Sequence, residues 1–237
     1  MSMKKLLFAA LMAVAIPANS ATLTGADGDE KESKNGITLS ERDYDRWSMD
    51  VAVGVNVPID VPEGYKFAPF NSWNIDFTVL QYNYRPKHAK QTYSIGAGFG
   101  WHNFGLKDNR TMFVKDANGV VGLGQFETNA DNRNSRFHEV AFIMPLLFNQ
   151  QLGKKTSISV GAQLNLNFFG RLNYSYTLDD TEYDISKKDI DYRVFNVDLM
   201  AIFHWNGIGI YGKYSPMSVF KKNRGPEFKS LSFGLYF

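Results

Sequence analysis

The chain has 237 residues, which is enough for one large all-β domain or two small ones. Its 26 basic and 24 acidic residues nearly balance, which argues against a nucleic-acid-binding domain, since such a domain is strongly basic or carries a basic stripe. The sequence contains no cysteine, which excludes disulfides, thiolate metal ligands, a cysteine nucleophile and a lipid anchor on cysteine.

Residues 1–20 have the pattern of a secretory signal peptide. Two lysines precede an apolar run from Leu6 to Ile16, and Ala18 and Ser20 are the small residues before a cleavage site. The run is too short to span a bilayer, and no later segment holds 18 consecutive apolar residues. We therefore predict an exported protein, cleaved after about Ser20, that can integrate into a membrane only as a β-barrel. Residues 21–46 are polar and lack periodicity, which predicts a flexible periplasmic leader.

After residue 46, eight segments show an alternation of apolar and polar side chains that predicts β-strands. The stretch ISVGAQLNLNFF shows it most clearly, with Val160 and Leu164 on one face and Ser159 and Gln163 on the other. The pattern becomes ambiguous after Leu80 in the second segment. The segments are Trp47–Val57, Trp73–Tyr84, Gln91–His102, Phe137–Phe148, Ile158–Phe169, Tyr192–His204, Gly207–Ser215 and Lys229–Phe237.

The connections between these segments alternate between short and long. Asn206-Gly207 is a strong signal for a two-residue hairpin. Within the long connections, FVKDANGVVG predicts a small hairpin, and LNYSYTLDDTEYDI predicts an extension of the fifth and sixth strands. Pro145 cannot donate a ladder hydrogen bond, so we expect a bulge in the fourth strand.

The alternation does not say which face of the strands is inside. A soluble barrel of the lipocalin type would bury the apolar face. Three features favour the opposite arrangement: apolar faces long enough to cross a membrane, aromatic residues at strand ends, and strict alternation of short turns with long loops. We therefore predict an all-β fold: an eight-stranded antiparallel up-and-down transmembrane β-barrel over 47–237, with long extracellular loops and both termini on the periplasmic side.

Two stretches of the C-terminal half resemble a known family. The segment HEVAFIMPLLFNQQLGKKTSISVGAQL resembles a strand-turn-strand unit of the PorT-like outer-membrane β-barrel proteins of Bacteroidetes, in which an acidic residue precedes an apolar-Pro-Leu-Leu stretch and a Gly-Lys-Lys turn. The second stretch, YGKYSPMSVFKKNRGPEFKSLSFGLYF, is similar to the last hairpin of the same group. The resemblance covers roughly 137–237 and implies a Gram-negative outer-membrane barrel, with an accessory role in protein secretion as one alternative. The C-terminal stretch KSLSFGLYF is similar to the assembly signal that the barrel-insertion machinery reads, carried by Leu231, Phe233, Leu235 and Phe237.

The strand parity predicts charged side chains inside the barrel. They are Asp50, Asp76, Glu139, Asp198 and Lys213. With Asn206-Gly207 as the turn, Met200 opposes Lys213 and Asp198 lies diagonal to it. Such a group can be a proton or ion relay, or a structural network that satisfies buried charge, and we favour the network. Eight strands leave an interior just wide enough for side chains, so we expect no open pore.

Catalysis is the competing class of function. His102 and His138 are expected near the outer rim with Ser135 and Glu139 close in sequence, as a lipid-modifying enzyme of the outer membrane would need. Adjacent strand residues point to opposite faces, however, so His138 and Glu139 cannot share a site without a bulge. No GxSxG, HExxH, P-loop or EF-hand motif is present, and the carboxylates of DANG and LDDTEYD do not have the spacing of a calcium loop. We predict no enzyme activity, no cofactor and no metal site.

The long loops are rich in aromatic residues, which suit binding of glycans or proteins but are equally suited to packing within the loops. We therefore expect a non-catalytic outer-membrane protein with a structural or binding role at the cell envelope. Its expected partners are outer-membrane lipid, the insertion machinery, and envelope or secretion proteins. The candidate binding residues are Tyr65, Phe67, Tyr174, Tyr176 and Tyr183, and Phe70, Phe113 and Phe126 are further loop aromatics.

Overall fold

The computed structural model describes residues 46–86, 89–107 and 110–237. The chain divides into two units, Met1–Asp43 and Tyr44–Phe237. The predicted signal peptide, and all but the last residue of the predicted leader, lie outside the described residues. Within the described residues the chain forms eleven strands and one short 3₁₀ helix, Pro69–Asn71. The strands are β1 Trp47–Ile59, β2 Trp73–Tyr84, β3 Gln91–Gly105, β4 Thr111–Lys115, β5 Val121–Gln125, β6 Asp131–Gln151, β7 Thr156–Leu178, β8 Thr181–Lys187, β9 Phe195–Trp205, β10 Ile208–Ser215 and β11 Lys229–Tyr236.

Eight of the strands pair side by side into a closed antiparallel ring. The order around the ring is β6, β3, β2, β1, β11, β10, β9 and β7, and β7 pairs back with β6. Consecutive ring strands are therefore neighbours, as an up-and-down barrel requires. β8 adds to β7 beyond the ring, and β4 and β5 form a separate hairpin. The predicted eight-stranded antiparallel barrel is confirmed.

Strand β7 shows which face of the ring is inside. Its apolar residues point outward, and Phe168 is 59% exposed and Val160 45% exposed. Its polar residues point inward, where Gln163 is 2% exposed and Asn165 1% exposed. The outward residues of the other ring strands are also largely apolar and exposed, while most inward residues are polar. Strand β6 is the exception, since its inward residues Ala141, Ile143 and Leu147 are apolar and buried. The lipocalin-type alternative is wrong for this chain, because it requires an apolar interior and a polar exterior.

The ring has irregularities that the alternating pattern did not locate. The β6–β7 register shifts between Asp131 and Asn134 and again between Val140 and Ala141, where Phe168 is the extra residue on β7. The register between β2 and β3 shifts between Thr78 and Leu80, which places a bulge at Val79. Val79 and Leu80 both face outward and are both exposed. The extra residue reverses the parity of the strand, which explains why the sequence pattern becomes ambiguous after Leu80.

The bulge predicted at Pro145 is wrong. The β6–β7 register continues through Pro145 without a shift. On the other side of β6, the β3–β6 pairing is interrupted between Ile95 and Gly98 and resumes in the same register. Proline removes a hydrogen-bond donor but does not require an extra residue, so the ladder has a gap here instead of a bulge.

The predicted turns and hairpins explain the connections at both ends of the barrel. Asn206 and Gly207 have positive φ values of 52° and 93°, as a tight hairpin turn requires. The hairpin predicted in FVKDANGVVG is present as β4 and β5, and Asp116 Oδ1 accepts hydrogen bonds from the turn amides of Asn118 (2.9 Å) and Val120 (2.8 Å). The fifth predicted strand does extend, to Leu178, but its partner there is a separate strand, β8, and not an extension of β9.

Candidate functional site: a polar lumen beneath an apolar cap

Lys213 is the centre of a buried charged group inside the barrel. Its Nζ donates to Asp76 Oδ2 at 2.5 Å and lies 3.7 Å from Asp198 Oδ2. The side chains of these residues are 2–3% exposed. The predicted register is confirmed, since Lys213 pairs directly with Met200 on β9. One ammonium therefore joins two carboxylates that belong to different strands.

His102 extends this group toward β6. Its Nε2 lies 3.0 Å from Asp76 Oδ1, and its Nδ1 lies 3.1 Å from Glu139 Oε1. A protonated imidazole can donate to both carboxylates at once. We expected His102 near the outer rim, and its place in the buried lumen was not predicted. The available signal was strand parity, because His102 follows the outward-facing Trp101.

Neutral side chains complete the lumen network, which we define as Asp76, His102, Glu139, Gln163, Asn165, Asp198, Lys213 and Ser215. Gln163 Nε2 donates to Asp76 at 3.1 Å, Asn165 Nδ2 donates to Asp198 at 2.8 Å, and the Ser215 hydroxyl also donates to Asp198. The network contains members from β2, β3, β6, β7, β9 and β10 and so links six of the eight ring strands. Buried charge is tolerated here because it is paired and hydrogen-bonded.

Asp50 does not join the lumen network. It lies nearer the end of the barrel with the short turns, where it accepts a hydrogen bond from the Tyr236 hydroxyl at 3.0 Å. Of the five predicted lumen charges, the structure therefore brings four together and leaves one apart.

Apolar side chains lie on both sides of the lumen network. Toward the short turns, Leu147, Met200, Ile202 and Tyr236 form part of a buried cluster. Toward the long loops, Phe104 lies two residues beyond His102, and Phe137 lies two residues before Glu139. These two phenylalanines belong to a second buried cluster, which we call the cap. Its buried members are Phe104, Leu106, Phe113, Val121, Phe137, Leu172, Ile190, Val219, Phe220 and Phe228.

Several of the loop aromatics that were candidates for binding pack in or against the cap. Tyr65 and Phe67 pack against it, with ring centroids 6.3 Å and 6.1 Å from the ring of Phe113. Phe113 is fully buried, which agrees with the alternative that the loop aromatics pack within the loops. Burial raises the pKa of the Tyr65 hydroxyl above its ordinary value. Phe70, in contrast, is 95% exposed.

The other candidate tyrosines lie on the β7–β8 hairpin. The rings of Tyr176 and Tyr183 stack with centroids 5.0 Å apart. Phe126 packs edge-on against Tyr176 at 5.7 Å and against Tyr174 at 6.4 Å. Phe126 is buried in this contact, which again agrees with packing within the loops. The aromatic residues therefore stiffen the hairpin, and Tyr183 remains partly exposed.

The two histidines considered for catalysis lie on opposite faces of the barrel wall. His138 pairs with Asn103 and Arg171 and points outward, whereas Glu139 pairs with His102 and points inward. No group of three or more His, Asp or Glu side chains suited to a metal ion is found in the described part of the chain. Of the other two histidines in the sequence, position 88 lies outside the described residues, and His204 Nε2 lies 3.2 Å from the Ser159 hydroxyl.

The C-terminal strand presents its predicted assembly residues on the outer surface. Alternate residues point outward and are 40–49% exposed, while Ser230, Ser232 and Tyr236 point inward. The outward set is Leu231, Phe233, Leu235 and Phe237.

A charged interior with an apolar exterior is stable only where the exterior contacts lipid. The chain is a transmembrane β-barrel. None of the described residues belongs to a helix long and apolar enough to cross a bilayer.

Comparison with known proteins adds little beyond this. No family model matches the chain, and no curated protein matches it. Among solved structures, the chain is similar to the crystal structure of Ail, the attachment invasion locus protein of Yersinia pestis. The match has 13% sequence identity and a TM-score of 0.33, and it covers 81% of this chain and 97% of Ail. At this TM-score, the conclusions about the barrel rest on its own strand pairing and on the polarity of its two faces.

Proposed function

We propose that this protein is a non-catalytic barrel of the outer membrane that binds an extracellular partner through the β7–β8 hairpin. The observation that carries the proposal is the free edge of β8. Among the described residues, β8 pairs only with β7, so its other edge offers backbone donors and acceptors. An extended segment of another protein can add to such an edge as a further strand.

The outer-membrane location is supported by the two ends of the barrel. One end carries the tight Asn206-Gly207 turn and the other short connections, and the other end carries the cap and both hairpins. Bacterial outer-membrane barrels have short periplasmic turns and longer extracellular loops. On that basis the β7–β8 hairpin is outside the cell, and the barrel termini at Trp47 and Phe237 are on the periplasmic side.

The hairpin is a rigid platform for binding. β7 runs without interruption from the barrel wall to Leu178, and β6 pairs with it as far as Asp131. The stacked pair Tyr176 and Tyr183 fixes the two strands of the hairpin to each other. Since the backbone is already ordered, a partner strand loses less entropy on binding than it would with a flexible loop.

The charge of the hairpin specifies the class of partner. Asp179 and Asp180 form its turn, and Glu182 and Asp184 lie on one face of β8, all four exposed. A segment with lysine or arginine at alternate positions would place its cations opposite these carboxylates. The partner that fits is therefore a basic, extended peptide segment.

A charge reversal tests this proposal. The probe is a synthetic peptide of alternating lysine and valine, titrated against the refolded barrel in detergent micelles. We expect Glu182→Lys with Asp184→Lys to weaken binding by roughly tenfold at low salt, since two opposite charges become like charges. The matched control is Glu63→Lys with Glu127→Lys, which reverses two exposed carboxylates on other loops. Equal binding by the wild type and the hairpin variant would refute strand addition at β8.

The positions and contacts of His102 and His138 support the proposal that the protein is not a catalyst. Both ring nitrogens of His102 face carboxylates beneath the cap, and His138 is separated from Glu139 by the barrel wall. Exchanging His138 for Gln should leave the lipid A profile of the producing cells unchanged. A changed profile would favour the alternative of a lipid-modifying enzyme.

A role in protein secretion is the second candidate, and it depends on the PorT-like resemblance. The residues of that resemblance occupy defined positions: Glu139 is in the lumen network, and Gly153, Lys154 and Lys155 form the turn between β6 and β7. Lys154 and Lys155 are exposed on the periplasmic side in this orientation. Co-purification of secretion components with the wild type, lost in Lys154→Glu with Lys155→Glu, would support this role.

A further inference from the structure

We propose that the outward face of β6 and β7, at the extracellular edge of the apolar belt, binds the phosphate-bearing headgroup of an anionic lipid. The site consists of Arg136, His138 and Arg171, which we call the basic triad. Nothing in the binding role of the β7–β8 hairpin requires this site, and the two proposals fail independently.

Strand pairing places the basic triad on one surface. His138 lies directly opposite Arg171, and Arg136 lies directly opposite Asn173. Residues that oppose each other in an antiparallel pair point to the same side, and so do residues two apart along a strand. Three basic side chains of two adjacent strands therefore lie within one or two residue spacings of each other.

Along the barrel axis, the basic triad lies at the edge of the apolar belt, where lipid headgroups are expected. The next outward pair toward the membrane is Val140 and Phe169, followed on β6 by Phe142. Trp101 pairs with Val140 on the neighbouring strand and is exposed. The guanidinium of Arg171 lies over the Phe169 ring, 5.6 Å from its centroid. The apolar belt ends at this level, so acyl chains would contact the aromatic side chains while the headgroup meets the arginines.

The positive charge of the triad is not neutralised within the described residues. Neither arginine forms an ion pair with any described carboxylate; Arg136 Nε instead donates to Asn134 Oδ1 at 3.0 Å. Arg171 Nε is buried and has no hydrogen-bond partner among the described residues. Glu139 is adjacent in sequence but points into the lumen. Like charges placed side by side with an unused buried donor are stabilised by a bound anion.

Among the described residues, the acid of this face that is nearest along β7 is too distant to act as that anion. Asp184 pairs with Ser175, which is four residues beyond Arg171 on β7, a distance of about 13 Å along the strand. A guanidinium can donate two parallel N–H hydrogen bonds to two oxygens of one phosphate. The two guanidinium groups of the triad, with the imidazole of His138 between them, therefore suit a phosphate ester. Since the triad borders the apolar belt, we assign the phosphate to a lipid and not to a free ion.

Native mass spectrometry of the full barrel tests the assignment. The probes are bis-phosphorylated lipid A and the same lipid with its phosphates removed, each added to protein refolded in neutral detergent. We expect the wild type to retain the phosphorylated lipid, and Arg136→Gln with Arg171→Gln to reduce retention by roughly tenfold or more. The control variant, Lys154→Gln with Lys155→Gln, removes two charges at the other end of the barrel and should retain lipid as the wild type does.

Three outcomes would overturn the proposal: equal retention of phosphorylated and dephosphorylated lipid, equal loss in the control variant, and complete displacement of lipid A by inorganic phosphate. The last would show that the triad binds a free anion. The variant Arg136→Lys with Arg171→Lys keeps the positive charges but cannot donate paired hydrogen bonds as a guanidinium does. Its retention of phosphorylated lipid A should therefore lie between that of the wild type and that of the glutamine variant. Heat-modifiable electrophoretic mobility, which separates folded from unfolded barrels, excludes misfolding as the cause of any loss.

Discussion

Lys213 on β10 and Asp76 on β2 form an ion pair across the interior of the barrel, although two other strands, β1 and β11, separate them in the wall. The pair connects opposite parts of the ring directly. Backbone pairing fixes each strand only to its neighbours, whereas this contact limits how far the ring can flatten. The lumen network therefore contributes to the shape of the barrel as well as to charge balance.

Replacing Lys213 with Met should destabilise the barrel strongly. The substitution keeps the length of the side chain and leaves Asp76 and Asp198 without their cation in a buried place. Breaking a buried pair in this way costs ~3–5 kcal/mol. Urea unfolding of the barrel in lipid vesicles measures the loss. Lys154→Met, at an exposed turn position, should change the free energy of unfolding by less than about 0.5 kcal/mol.

A double-mutant cycle measures the interaction free energy between Asp76 and Lys213 separately from the other contacts of each residue. Asp76→Asn combined with Lys213→Met should be less destabilising than the sum of the single changes, by ~1–3 kcal/mol. Strict additivity would show that the two side chains do not interact energetically.

The barrel should not conduct ions. The lumen network fills the interior, and apolar clusters lie between it and each end, as in Met200 and Ile202 on one side and Phe104 and Phe137 on the other. Planar bilayer recordings at neutral pH should show only the baseline of the lipid. Discrete current steps from the purified protein would contradict this arrangement.

Phe220 should be important for the cap, and Phe70 should not. Phe220 is fully buried and contacts Phe137 with ring centroids 4.8 Å apart, whereas Phe70 is 95% exposed. Phe220→Ala should destabilise the cap by ~3–5 kcal/mol, because it leaves a cavity in a packed cluster. Hydrogen exchange of loop amides measures the effect, and protection of the ring strands should remain. Phe70→Ala is the matched control, and similar exchange in the two variants would refute the cap as a packed unit.

Two strand glycines provide a further matched comparison. A Cβ at Gly98 would overlap the carbonyl oxygen of Phe77, whereas a Cβ at Gly212 would meet no atom within 4 Å. Gly98→Ala should therefore cost ~1–3 kcal/mol, since the contact is with backbone that cannot move aside. Gly212→Ala should be neutral or slightly stabilising. Thermal unfolding of both variants measures the difference, and equal losses would argue against the close strand approach at Gly98.

The cap should loosen at alkaline pH. Burial raises the pKa of Tyr65, so the folded cap favours its neutral hydroxyl. This contribution is present below the ordinary tyrosine pKa near 10 and is lost as the pH rises through the higher folded value. Tyr65→Phe removes the ionisable group and should make loop protection less dependent on pH above about 10. An unchanged alkaline profile would show that Tyr65 does not contribute to it.

The sequence contained enough information for the ring and for much of the lumen. A period of two over long segments is a strong signal, and parity then places Asp76, Asp198 and Lys213 on one side of the wall. The same rule would have placed His102 there, since it follows Trp101. Proximity across the lumen, as between Asp76 and Lys213, depends on the tilt and closure of the ring and is not visible in any local pattern.

The structure of the long loops is less predictable from the sequence. The cap combines the ends of ring strands β3, β6 and β7 with short apolar stretches of the loops, and no local pattern indicates that these parts meet. The bulge at Val79 has no signature beyond two successive apolar residues. β8 was merged with the next strand because Thr181–Lys187 has few apolar residues, and its position depends on pairing with β7.

The ring closes without β8, and this separation has a practical consequence. The turn at Asp179 and Asp180 lies beyond the last β6–β7 pair, Asp131 with Thr177, and both turn residues already have positive φ values of 48° and 60°. Foreign peptides inserted there would leave strand registration unchanged. In the proposed orientation this turn faces the outside of the cell, so the protein would serve as a scaffold for surface display in which β7 supplies the stem and the inserted peptide can be exchanged.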